Sequence, residues 1–571
     1  MTTITKQDGA GSASTSTSAS KRSANRVIET VKAHGVKHIF GIPGGKVMPV
    51  YDALLDEGAR VIDCRDERSA AFMAAAMGRL TGTPGVVIVT SGPGTTNLAT
   101  ALVTATTEGD PIVALCGAVP REDRLKRTHQ SMDAADFLST VTKYTGEVND
   151  PDNAPEAVAN AFRIATTEPN GATALVLPKD VMSAATHHSI TAPLPIAPLG
   201  AAAAESIDRA VERIHAARRP ILLVGARAGD PDSCAAVREL LAATELPVVE
   251  TFQAAGVVSR ELESHYVGRV GLFRDQPGDI LLSQADLVVS VGYDPVEYDP
   301  YLWNVEARRE IVHIDSLPAD IDNHYQPWVE LRGDVATTVR ALVAPLRGLT
   351  VESAFAADIA ACQRQLRDLD NQARQAPAPE GKLNPAKLCL LLRDALDDNA
   401  TVAVDMGSHY IHLCRHFRVY EPRHLLISDG QQTLGVGLPW AMAACLARPG
   451  TPVVSVSGDG GFLFSAHELK TAHRLGLTFT HIIMRDNTWD MVGFQQLLAY
   501  GRKSGVELGD YDIPSYAKAF GAHGYRVHDE AEFIETLRQA LAEPGPSIID
   551  VPVDYSHNTD LFAALPEDAF E

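Results

Sequence analysis

The sequence predicts three consecutive α/β domains, each built on a mostly parallel sheet. Strand-like and helix-like patterns alternate along the chain, as they do when helices cross over between parallel strands. At 571 residues the chain is too long for a single core. Two linker-like stretches, the Pro/Ala-rich residues 189–204 and the polar, Pro-bearing residues 371–381, divide it into pieces of ordinary domain size.

Residues 1–20 are mostly Ser, Thr, Ala and Gly without an apolar core, so they read as a disordered tail rather than a signal peptide. A first domain is expected over 21–188, with strands at 38–41, 61–64, 86–90 and 112–117. A second, over 204–346, has strand-like runs at 221–224, 287–291 and 311–314. The third, over 381–558, centres on two apolar runs at 453–457 and 480–484. Between these runs Ala466, Leu469, Ala472 and Leu475 recur at helical spacing and Gly476 supplies a stop, giving a strand–helix–strand unit with parallel strands. No short internal repeat is evident.

Composition narrows the function. The formal charge is −22 with no long basic block, which argues against nucleic acid and anionic membranes. No apolar run reaches the ~18 residues of a membrane span. Seven scattered cysteines without metal-ligand spacing fit reduced thiols in a cytoplasmic protein. Gly41-Ile42-Pro43-Gly44-Gly45-Lys46 misses the nucleotide P-loop by one residue of spacing and by Val47 in place of Ser or Thr. His467-Glu468 with His473 lacks the zinc-protease spacing.

The third domain holds the chemistry that residues alone suggest. Asp459 and Asp486 each follow a parallel strand, where such sheets bind ligands. Gly460 and Gly461 leave bare backbone amides at a helix entrance, a seat for phosphate. Two carboxylates beside a phosphate seat suit a hard cation such as Mg²⁺.

The Gly458-Asp459-Gly460 stretch followed by Asp486-Asn487 resembles the cofactor signature of thiamine-diphosphate enzymes. The wording from Gly458 to Ser465 and from Trp489 to Gln496 is closer still to catabolic, FAD-independent acetolactate synthases. Further stretches carry the same resemblance: Phe40–Gly44, Thr128–Asp133, Gly268–Phe273, Gly292–Pro300 and Val551–Tyr555, so that it spans roughly Ser23 to Asp560. It implies three doubly wound parallel-sheet domains, binding in turn the cofactor's pyrimidine, nothing assigned, and its diphosphate. The implied reaction joins two pyruvates into 2-acetolactate with loss of CO₂.

The resemblance also implies roles. Glu67 would be the acid on the pyrimidine N1′. Pro43, Gly92 and Asn97 would flank the pyrimidine. Gly407, Ser408 and His409 would form a second diphosphate loop. The Gln432 carbonyl would accept from the 4′-amino group, and Leu434 would wedge beneath the bent cofactor. Asp459, Asp486 and the Thr488 carbonyl would hold Mg²⁺, with Asn487 beside them. Gln130, Met491, Val492 and Lys143 would line the substrate side. Because Glu67 and Asp459 lie in domains that meet across a subunit interface in this family, a homodimer is the minimum expectation and a homotetramer the usual one. No FAD is expected, since the stretch Gly292–Pro300 is acidic and without arginine. Where relatives commonly carry His before the glutamate, this chain has Asp66. Two other readings stay open: another thiamine-diphosphate decarboxylase or carboligase, and a non-catalytic nucleotide-binding module.

Overall fold

The computed structural model describes residues 20–194, 196–271, 276–305 and 309–562. The expected tail, except Ser20, and Leu272 and Phe273 of one resembling stretch lie outside the described residues.

The fold holds three six-stranded sheets, parallel throughout. The first runs Val61–Asp63, Ile39–Gly41, Gly85–Val89, Ile112–Ala118, Ala172–Pro178, Tyr144–Glu147. The second runs Tyr266–Arg269, Val248–Glu250, Pro220–Val224, Leu287–Val291, Glu310–Asp315, Val329–Arg332. The third runs Leu425–Leu426, Thr401–Val404, Val453–Gly458, Phe479–Arg485, Pro546–Pro552, His523–Arg526. Their inner strands are fully buried, which is why they read as continuous apolar runs.

Numbered by chain order within each sheet, the first and third sheets share the order 2-1-3-4-6-5, whereas the middle sheet is 3-2-1-4-5-6. The first and third units are thus one topology used twice, a repeat the sequence does not display. In both, strand order reverses between the first and third strands, and ligands of open parallel sheets gather at such a point. The turns that follow corresponding strands carry the candidate residues of both units. Pro43 follows the first strand of one sheet and Gly407–His409 the first strand of the other. Glu67 follows one second strand, and Gln432 with Leu434 the other.

Two elements depart from expectation. The helix Ser353–Gln375 runs into the stretch read as a separator. It buries only Phe355, Cys362 and Ala373, too few for a clear apolar stripe. The crossover after Gly458 is three pieces, Asp459–Leu463, Ala466–Glu468 and Leu469–Leu475, rather than one helix. The break falls at Ser465, which is extended in φ (−136°), and Gly476 caps the last piece at φ 63° as its position predicted. A two-residue antiparallel pair, Lys21–Arg22 with Ala185–Thr186, ties together the ends of the first unit.

The first and third units share a core. Alanine-rich faces of helices Glu67–Thr81 and Gly437–Ala447 meet around Phe72, Trp440 and Phe462. The Arg79 guanidinium lies 4.8 Å from the Trp440 ring centroid. All seven cysteines are free thiols, and six of them are buried. Among the described residues no helix is long and apolar enough to cross a membrane.

Candidate active site

A cavity of about 240 Å³ opens at the carboxyl ends of the third sheet's strands. Its walls include Gly407, Ser408, His409, Gln432, Leu434, Gly458, Asp459, Gly460, Gly461, Asp486, Thr488, Met491 and Val492. The fold therefore gathers thirteen of the expected residues from four separate turns. Two of these turns bend sharply, at Gly407 (φ 146°) and at Gln432 (φ 47°). A Cβ on Gly460 would meet Trp489 at 2.4 Å, and one on Gly461 would meet Asp405 Oδ1 at 2.8 Å. Both glycines are therefore required by packing, which leaves their amides at the cavity wall.

Asp459 is buried, and its Oδ2 accepts from the Asn487 backbone N–H at 2.7 Å. Asp486 Oδ2 accepts from the Thr488 hydroxyl at 2.5 Å. Burial pushes the Asp486 carboxyl up to about 7, with the neighbouring Asp459 charge adding to the rise. Asn487 itself does not line the cavity. With φ 63° its turn aims its N–H at Asp459, and its side-chain oxygen faces Arg485 at 3.3 Å. His409 Nε2 lies 2.8 Å from the Asp405 carbonyl, so Nε2 carries the proton and Nδ1 is bare. Burial lowers its pKa to about 4, and the ring is neutral at pH 7. The Ser408 hydroxyl is committed to Asp490 Oδ2 at 2.7 Å, so Ser408 offers an anion its backbone N–H at the start of helix Ser408–His416.

Glu67, Asn97, Gly92 and Gln130 form a second group, at the corresponding end of the first sheet. Asn97 Nδ2 donates to Glu67 Oε2 at 3.0 Å. Gly92 (φ 65°) leaves room for Gln130, whose Cβ stands 3.2 Å from where a Gly92 Cβ would be. Gln130 has φ 61°, so Gln130, Gln432 and Asn487 are three of the four non-glycine residues with positive φ among the described residues. Such strain concentrates at functional sites. Pro43 is exposed on the turn after Ile39–Gly41. Lys143 is placed elsewhere, its ammonium donating to the carbonyls of Thr167 and Pro169. No residue of this second group lines the 240 Å³ cavity.

Family comparison agrees with this two-part layout. Residues 21–137 match the model of the thiamine pyrophosphate enzyme N-terminal TPP binding domain, 207–342 its central domain and 405–551 its C-terminal TPP binding domain. The chain belongs to the thiamine pyrophosphate enzyme family. It is 51% identical over 95% of its length to the acetolactate synthase of Bacillus subtilis (strain 168), covering 94% of that protein. It is 43% identical to the catabolic acetolactate synthase of Raoultella terrigena, covering 95% of this chain and 97% of that one. The large subunit of acetolactate synthase isozyme 2 of Escherichia coli (strain K12) is 30% identical over 94% and 96%.

The donors in the cavity wall suit the diphosphate end of the family's cofactor together with a dication. Buried Asp459 and half-buried Asp486 face each other's charge, and among the described residues no third His, Cys, Asp or Glu completes a protein-only metal site. That donor set suits a cation that takes its remaining oxygens from a diphosphate and from carbonyls. Sequence reasoning missed Asp405, which holds the Gly435 and Gly437 amides at 3.0 and 2.9 Å and so shapes the turn bearing Leu434. It also missed Asp490, which anchors Ser408. Their only sequence signal was a lone Asp beside a motif already noted.

Asp66 turns away from the site. Its backbone is extended (φ −147°, ψ 135°) and its carboxylate caps helix Glu67–Thr81, accepting from Arg68 N at 2.8 Å and Ser69 N at 3.3 Å. Asp66→His is therefore expected to lose the cap, about 1 kcal/mol of local stability. Turnover should stay within ~10-fold of wild type, about 1.4 kcal/mol of barrier. A lowered thermal midpoint with near-normal kcat is the expected pair of readings.

Proposed function

We propose that this chain is an acetolactate synthase that decarboxylates one pyruvate and joins the remaining two-carbon unit to a second, giving 2-acetolactate and CO₂. The observation that carries the reading is the 51% identity to the acetolactate synthase of Bacillus subtilis, which extends over 95% of this chain. When bound, thiamine diphosphate supplies a carbon nucleophile at its thiazolium C2. Glu67 would hold a proton at the pyrimidine N1′, so that the 4′-amino group could act as a base. Asp459, Asp486 and the Thr488 carbonyl would hold Mg²⁺ at the diphosphate, which the Gly461 and Ser408 amides would also receive. His409 presents a bare, neutral nitrogen to that end of the cavity. Leu434 would pack beneath the cofactor, the Gln432 carbonyl would accept from its 4′-amino group, and Met491, Val492 and Gln130 would exclude water from pyruvate.

A homodimer at minimum, and commonly a homotetramer, follows from the same reading. The cavity of about 240 Å³ is smaller than a pocket that encloses a cofactor-sized ligand, roughly 300–1,000 Å³. Its missing wall would be the Glu67 group of a second copy. Helix Asp490–Tyr500 supports this, for it exposes Val492, Leu497, Leu498 and Tyr500 beside the opening. Purified protein with thiamine diphosphate, Mg²⁺ and pyruvate should form 2-acetolactate, and acetaldehyde as sole product would refute the reading.

The protein is expected to carry no FAD. A larger cavity of about 640 Å³ lies where the three units meet, lined in part by Asp294, Val296 and Glu297. Its Arg227 is already held by Asp294 and Asp315, both at 2.9 Å, and Asp110, Glu168, Asp230 and Asp334 add negative charge to the walls. An anionic dinucleotide would meet these carboxylates, and of the guanidiniums in the walls Arg79 and Arg423 are held by Asp110 and Asp230, which leaves only Arg332 among the described residues without an ion pair. A flavin absorption band near stoichiometry in purified protein would contradict this. The protein is proposed to be cytoplasmic.

A further inference from the structure

The turns that carry Glu67 and Leu434 are each gripped from behind by a buried glutamate of the opposite unit. Glu468, fully buried, accepts at Oε1 from the backbone N–H groups of Arg65 (2.7 Å) and Asp66 (3.0 Å), the two residues before Glu67. Its neighbours extend the grip. The Phe464 carbonyl accepts from Arg68 Nη2 at 2.7 Å, and Arg474 Nη2 donates to the Asp63 carbonyl at 2.7 Å. Contacts from residues 464–474 thus hold both sides of the turn that bears Glu67.

Glu108 does the same in the other direction. It is 5% exposed, and its Oε1 accepts from the Ser428 hydroxyl and the Gly430 backbone N–H, both at 3.0 Å. Gln253 of the middle unit donates to its Oε2 at 2.6 Å. On the same helix, Thr104 bonds the Thr433 hydroxyl at 2.8 Å and Thr107 accepts from Gln431 Nε2 at 3.0 Å. These contacts flank Gln432 and precede Leu434.

Both glutamates sit on the crossover between the third and fourth strands of their sheet, and both hold the turn after the second strand of the other. The device is used twice, once in each direction, as the shared topology allows. A buried carboxylate is costly unless donors satisfy it, and here Oε1 of each glutamate takes its donors from the turns that carry chemistry. Burial pushes the Glu468 carboxyl above its ordinary range and Glu108 up to about 7.

We propose that Glu468 and Glu108 are reciprocal positioning residues. Glu468 sets the placement of the acid Glu67, and Glu108 sets the turn that bends and walls in the cofactor. The roles rest on the reading of Glu67 and Leu434 given under Proposed function. Neither glutamate lines the 240 Å³ cavity, so each acts through the backbone it holds.

The two clamps predict different losses, which a merely structural role would not. Glu468→Ala should lower kcat ~10–100-fold, as misplacement of a reacting group does, with thiamine-diphosphate affinity within about threefold. Glu108→Ala should weaken cofactor affinity ~10-fold or more, as loss of a supporting contact does, with a smaller effect on kcat at saturation. Amide exchange by mass spectrometry on cofactor-free protein should quicken over residues 61–69 in the first variant and 427–435 in the second. Glu468→Gln and Glu108→Gln keep an acceptor oxygen and should recover most of each loss. Equal losses of kcat and affinity in both alanine variants, or unchanged exchange in the named segments, would overturn the proposal. So would wild-type kcat in Glu468→Ala while Glu67→Gln is inactive. Wild-type turnover in Glu67→Gln would instead overturn the functional reading beneath it.

Discussion

Glu67→Gln should bind thiamine diphosphate and Mg²⁺ normally yet turn over ~10²–10⁴-fold more slowly, the usual cost of removing a well-placed proton-transfer group. The side chain is nearly isosteric, and its carbonyl oxygen can still accept from Asn97 Nδ2, which now lies 3.0 Å from Glu67 Oε2. The helix that begins at Glu67 keeps its Asp66 cap, so folding should be undisturbed. What is lost is the ability to share a proton with the pyrimidine N1′, because an amide is not an acid in this range. Steady-state kinetics on pyruvate alongside a cofactor-binding isotherm separate the two effects. Turnover close to wild type would remove Glu67 from the mechanism.

Asp459→Ala should abolish Mg²⁺-dependent cofactor binding. The carboxylate is buried, receives the Asn487 and Gly460 amides at 2.7 and 3.1 Å, and faces Asp486 across the cavity. Its removal would take away half of the charge that balances the cation and free the turn that presents Asp486. Fluorescence titration of cofactor-free protein should show no saturable binding in millimolar Mg²⁺, and unchanged affinity would place the metal elsewhere. The same site predicts a pH dependence. The Asp486 carboxyl is raised to about 7, so below that pH a proton occupies the oxygen that Mg²⁺ needs. Mg²⁺ affinity should therefore weaken as pH falls from 8 to 6 and strengthen as it rises. Asp486→Asn should flatten this profile and bind Mg²⁺ more weakly throughout.

Local chemistry was enough to read much of this molecule. Short buried strands are legible because parallel strands covered on both faces are continuously apolar, as at Val86–Val89 and Ile221–Val224. The clustering of Asp459, Asp486, Gly460 and Gly461 in one cavity is legible because acids and glycines placed just past parallel strands are brought together at the sheet's carboxyl end. Gly476 ends its helix because its αL conformation is cheap only for glycine. Glu67 was legible only through resemblance to a family, since a glutamate at a helix start has no distinctive pattern of its own.

Packing decided the rest. Glu468 and Glu108 lie 403 and 322 positions from backbone amides they hold, and no local window relates such residues. The likeness of the first and third units is a likeness of strand order, which depends on how crossovers wind and not on which apolar side chains fill them. Asp66 has one identity in the sequence and two available directions. Its extended backbone and the free amides of the helix it precedes settle the choice, turning the carboxylate toward the helix start.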